Sequence, residues 1–224
     1  MLTNAISEFT DIAEQLAPEL QTVPFYVLAQ PAELPTPLET VAYCIRGRDI
    51  ALRDFLRQRG EWKGYGAAIV FVDQIDDRLQ FLGTLLHELG HALPATTWSD
   101  TEPTAEERER QIAAVRKWAD DPAPHKEREP WTGHGLQFVR RVLHLHYRSL
   151  WHGIAVPLAA LNAAGSYYGL SPIWRYLSAL GAEPFDLSGK SFAEIESIKP
   201  PAAFVDLFVS DVGEWTHKLA LEQP

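Results

Sequence analysis

Apolar and polar positions alternate along the chain in recognisable periods. Ala5, Ile6, Phe9, Ile12, Ala13 and Leu16 recur three and four residues apart, which predicts an amphipathic helix over 4–17 ending before Pro18. Residues 25–28 suit a short strand, and Pro31, Pro35 and Pro37 mark an irregular connection after it. From 38 to 59 the pattern is mixed but mostly helical, with Gly60 as the stop. The apolar, partly β-branched run at 67–72, preceded by Gly64 and Gly66, is the clearest strand. Leu79, Leu82, Leu85, Leu86 and Leu89 then give residues 79–93 a strong apolar face, with Pro94 past the helix end.

Residues 99–130 differ in character. They are crowded with charge, and 105–119 fits an exposed helix between Pro103 and Pro122. A further amphipathic helix is expected over 136–150, from Leu136, Val139, Val142, Leu143, Leu145 and Leu150. Beyond it, 151–224 reads as short helical pieces broken at glycines and prolines.

A chain of 224 residues suffices for one domain, or one domain with a satellite, and its 46% hydrophobic content excludes a disordered chain. A single cysteine, Cys44, excludes a disulfide framework and a zinc ribbon. A formal net charge of −10 repels phosphate backbones, so nucleic acid is disfavoured as a partner. Arg46, Arg48, Arg53, Arg57 and Arg59 do form a local basic run near Trp62 and Lys63, read as a solvated helix face. The N-terminus has no basic stretch followed by an apolar one, and the longest apolar run, 154–164, is short and holds Pro157. A cytoplasmic protein with no membrane partner is therefore expected.

Residues 87–91 read His-Glu-Leu-Gly-His, an H-E-x-x-H pattern inside the leucine-faced helix. Spacing of four places His87 and His91 on one helix face, where two imidazoles can meet one ion at about 2.0–2.1 Å from each nitrogen. Glu88 lies about 100° round the helix, able to reach a water on that ion without being a ligand. Zn²⁺ acidifies such a water to a pKa of about 7, and a carboxylate can take its proton. Those are the parts of an amide-hydrolysing site.

A catalytic zinc also needs a third protein ligand and an open position. The metzincin extension is excluded, because Pro94 and Thr97 stand where it needs Gly and His, and the one methionine is Met1. Glu102, Glu106, Glu107 and Glu109 are available but sit in the charged segment, where an exposed helix face is the simpler reading. Among the later histidines, His134 opens the next helix, beside Gly135, which would let two backbones approach, and one turn from Phe138, which can wall a site. His144 and His146 lie about 15–18 Å further along that helix and cannot join His134 at one ion. His144 fits a hydrogen-bonded core position, and His125, His152 and His217 are weaker candidates.

H-E-L-x-H followed by H-G-x-x-F resembles the SprT-like zinc metalloproteases, the group that includes Spartan. The resemblance covers roughly 67–146. It implies that His87, His91 and His134 bind one zinc per chain and that Glu88 is the general base. It implies an α+β fold with a small zincin-like core, a short sheet plus metal-binding helices. On this basis residues 1–150 are expected to form a zincin-like metallopeptidase domain, and 151–224 a helical C-terminal extension packed on the core. The two motifs lie farther apart than is usual in that family, so 99–130 becomes an insertion, either a lid or substrate-selecting loop or an inert surface excursion. The expected activity is peptide-bond hydrolysis of a protein or peptide substrate. The alternative is an inactive zincin-derived metal-binding or protein-interaction module. Tyr147, Tyr167 and Tyr168 have the chemistry to stabilise the oxyanion. Three neutral imidazoles do not select zinc over Mn²⁺ or Co²⁺ by affinity alone.

Overall fold

In the computed structural model, residues 2–31, 41–46, 50–72, 77–93, 106, 134–165 and 171–222 are described. Among the described residues the fold is α+β and mostly helical, with one small mixed sheet. It divides into two compact units, residues 1–74 with 92–129 and residues 75–91 with 130–224.

In the first unit, α1 (Leu2–Leu16) ends where Pro18 begins a 3₁₀ turn, Pro18–Thr22. Strands β1 (Phe25–Ala29), β2 (Ala42–Arg46) and β3 (Ala67–Phe71) form a sheet of order β1-β3-β2. β1 runs parallel to β3, with Val27 opposite Ile69, and β2 runs antiparallel to it, with Cys44 opposite Ile69. All five residues of the central strand β3 are buried, as its unbroken apolar run demands. Helix α2 (Ile50–Gln58) packs Leu52 and Leu56 with Tyr26, Ala68 and Val70, against partly buried Tyr43 and Ile45. Gly60 follows the helix at φ +69°, a left-handed position that suits its lack of a Cβ.

Two expectations need correction in this unit. The helical reading of 38–59 holds only for α2, because Ala42–Arg46 is a strand. Tyr43 and Ile45, two residues apart, turn to one face of the sheet, where they meet the apolar cluster. The basic run is also not one solvated face. Arg53 is buried and donates to Asp54 at 2.9 and 3.0 Å, while Arg57 lies 5.6 Å from the Trp62 ring. Arg59 pairs with Glu61 at 3.0 Å.

The second unit holds α3 (Arg78–Ala92, up to His91) and α4 (Leu136–Trp151), followed by α5 (Leu158–Gly165), α6 (Ile173–Leu180), α7 (Glu183–Asp186), α8 (Phe192–Ser197) and α9 (Ala202–Glu222). Asp77 caps α3 by accepting from the Leu79 N–H at 2.8 Å. α8 begins with a capping box between Ser191 and Glu194. Arg140, fully buried on α4, makes a two-point pair with Glu183 at 2.8 and 2.9 Å and donates to the Ile198 carbonyl at 2.8 Å. His144 shares Glu183 at 2.9 Å, as expected of a hydrogen-bonded core histidine. One carboxylate thus ties α4 to α7, and Arg140 reaches the end of α8. Among the described residues, no helix is long and apolar enough to cross a membrane.

The expected helix at 105–119 and the insertion at 99–130 lie outside the described residues, apart from Glu106, which is exposed.

Candidate metal centre

Helix α3 carries His87 and His91 one turn apart, and His134 stands two residues before the first turn of α4. His134 precedes its helix rather than opening it: Gly135 is the N-cap residue, with its carbonyl accepting from the Val139 N–H at 3.2 Å. The three rings converge. His134 Nε2 lies 3.2 Å from His91 Nε2 and 3.1 Å from His87 Nε2. One ligand atom from each residue lies within 4.8 Å of the others, a group able to hold a metal ion. Tetrahedral bonds of about 2.0–2.1 Å place ligand nitrogens about 3.3–3.4 Å apart, so the observed separations fit an ion between them.

The electrostatics agree with that use. Burial, and then the neighbouring His91 and His134, hold the His87 imidazole well below its ordinary pKa. It is neutral at pH 7 and keeps a lone pair for a metal. Phe138 closes the apolar side of the cluster. Its ring stacks on His91 at 4.3 Å and meets His87 and His134 edge-on at 4.9 and 4.8 Å. Glu88 is buried on α3 next to the first ligand position.

The close approach expected at Gly135 occurs elsewhere. A Cβ built on Gly135 meets nothing within 4 Å. A Cβ on Gly90, inside the H-E-x-x-H turn, would lie 2.9 Å from both Phe138 Cε2 and Val142 Cγ2. Gly90 is therefore what lets α4 come close enough to α3 for His134 to reach the pair. Arg141 locks the same junction by donating to the Gly90 carbonyl at 2.8 Å, satisfying one of the acceptors left open at the end of α3. Arg141 is held in turn by Glu196. Gly83 has a similar role against α5, since its Cβ would lie 2.7 Å from the Ala160 carbonyl oxygen.

Other candidates fall away from this centre. His144 is held by Glu183, His146 is buried ten or more residues along α4, and His152 is exposed. Tyr147 packs edge-on against Phe185 at 6.2 Å, thirteen residues from His134 and so about 20 Å along the helix. Tyr167, Tyr168, His125, Glu102, Glu107 and Glu109, together with the side chain of His217, lie outside the described residues. Sequence reasoning missed Gly90 and Arg141. Compared with protein-family models, curated proteins and solved structures, the chain matches none.

Proposed function

We propose that this chain is a zinc-dependent metallopeptidase of the H-E-x-x-H type, with a zincin-like fold of the SprT-like kind. The observation that carries the reading is the meeting of three Nε2 atoms from His87, His91 and His134, two of them on a helix that also bears Glu88. His87, His91 and His134 would hold the ion, and a set of only three protein ligands would leave it accessible to water and substrate. Zinc, when bound, supplies a Lewis acid that polarises a carbonyl and acidifies water. Glu88 takes the proton from the attacking water and returns it to the leaving amine. Burial of Glu88 and His87 keeps bulk water from competing for these transfers. Phe138 holds the three rings in register.

The test is Glu88→Gln, assayed on a peptide library by mass spectrometry, with zinc measured in the same samples. Zinc should stay at one per chain while cleavage falls by about 10²–10⁴-fold. Cleavage at the wild-type rate in Glu88→Gln would refute the mechanism. A wild-type protein that holds zinc and cleaves nothing would leave the metal-binding module as the reading.

A further inference from the structure

Beside the three histidines lies a small cavity, of about 30 Å³, whose wall includes both His87 and His134. Val139 and Val142 of α4, Leu161 of α5 and Ile173 of α6 form much of the rest. The polar residues at its edge are engaged with one another. Tyr176 donates its hydroxyl to Asp211 at 2.5 Å, and Ser171 donates to Asp211 from its backbone at 2.5 Å and its hydroxyl at 2.8 Å. The Asn162 side-chain oxygen, Oδ1, accepts from the Ile173 N–H at 3.1 Å. Those bonds fix α6 against α5 and α9 and turn polar atoms to each other, so the space that opens on the metal ligands is chiefly apolar.

We propose that this cavity is a specificity subsite that receives a small aliphatic side chain, alanine to valine in size, next to the scissile bond. The proposal rests on the metallopeptidase reading. A side chain seated against His87 and His134 would bring its residue's carbonyl towards the place where the three Nε2 atoms meet. At about 10–15 Å³ for each water-sized group, that space takes two or three such groups, the one to three carbons of an alanine or valine side chain, and is too small for an aromatic ring. Asp211, buried on α9, is a positioning residue: it anchors Ser171 and Tyr176, and through them α6 and Ile173. Residues beyond 150 therefore take part in choosing the substrate.

The test uses the full chain loaded with Co²⁺ and read by its visible absorption. The probes are N-acetyl amino-acid hydroxamates of glycine, alanine, valine, leucine and phenylalanine. Ile173→Ala widens the cavity at a half-buried position, and Ile173→Phe fills it. Wild type should bind the alanine and valine probes about tenfold more tightly than the phenylalanine probe. Ile173→Ala should move the optimum to leucine, with about a tenfold gain for that probe. Ile173→Phe should weaken alanine and valine about tenfold and leave glycine unchanged. Stoichiometric cobalt with one probe ranking shared by all three proteins would overturn the subsite and leave the metal site standing. A wild-type chain that takes up no cobalt would overturn both.

Discussion

Replacing Gly90 by alanine sets two opposed effects against each other. Alanine is favoured over glycine by about 1 kcal/mol in a helix interior, and by less at Gly90, which lies in the last turn of α3. Against that, the added methyl lies 2.9 Å from Phe138 Cε2, 2.9 Å from Val142 Cγ2 and 3.2 Å from Phe138 Cδ2. Ordinary carbon contacts are about 3.5–4.0 Å, so α4 must retreat by roughly 0.6–1 Å. Neither neighbour has slack. Val142 is buried, and the Phe138 ring is stacked on His91. Overpacking of this kind costs about 1–3 kcal/mol, so the net effect is a loss of about 0–3 kcal/mol. The effect on metal is larger. His134 travels with α4, and a bound ion tolerates only about 0.2 Å in its bond lengths. Zinc affinity should fall at least tenfold, equivalent to about 1.4 kcal/mol. The assay is competition with a chromophoric chelator, paired with urea unfolding of the zinc-free protein. Gly135→Ala is the control. Its φ of −68° suits any residue and its Cβ meets nothing, so zinc affinity should stay within about twofold, with at most about 1 kcal/mol lost at the N-cap. A Gly90→Ala protein that is more stable by the helix-propensity gain and binds zinc like wild type would refute the reasoning.

Glu183→Ala should destabilise the second unit by about 3–5 kcal/mol in urea unfolding, because it strands the fully buried Arg140; a loss under about 1 kcal/mol would show the pair to be dispensable. Acid should weaken the same network. Burial pushes the His144 and His146 imidazoles down, against which the Glu183 hydrogen bond raises His144 only in part. Burial alone would raise Glu183, but the hydrogen bonds and charges of Arg140 and His144 outweigh it and hold its carboxyl low. All three bind protons more readily unfolded than folded. The histidines' contribution is full above about pH 6.5 and is lost below it, and that of Glu183 is lost below about pH 4.5. In zinc-free protein, His144→Gln should therefore flatten the urea midpoint between pH 7 and pH 5; an unchanged slope would remove His144 from this role.

The elements with strong periodicity were legible from sequence. Leu82, Leu85, Leu86 and Leu89 mark α3, and the apolar run at Ala67–Phe71 marks β3, with boundaries within a residue or two. β2 was not legible, because a five-residue edge strand carries little local signal and its state is decided by pairing with β3. His87 and His91 follow from helix spacing alone. His134 needed the motif, since nothing in spacing brings together residues 43 positions apart. Gly90 was visible as a letter but not as a contact, because the atoms it makes room for, in Phe138 and Val142, belong to another helix. The Arg140–Glu183 pair was hidden for the same reason: charged residues 43 apart give no sign that they meet in a buried place.

The central claim is that His87, His91 and His134 form one metal site. The measurement is zinc content by elemental analysis of tag-free wild type and His134→Ala, both purified without chelator. One zinc per wild-type chain, lost or sharply weakened in His134→Ala, is the predicted result. Full zinc in His134→Ala would contradict it by placing the third ligand elsewhere, and no metal in either protein would remove the site and the peptidase reading with it.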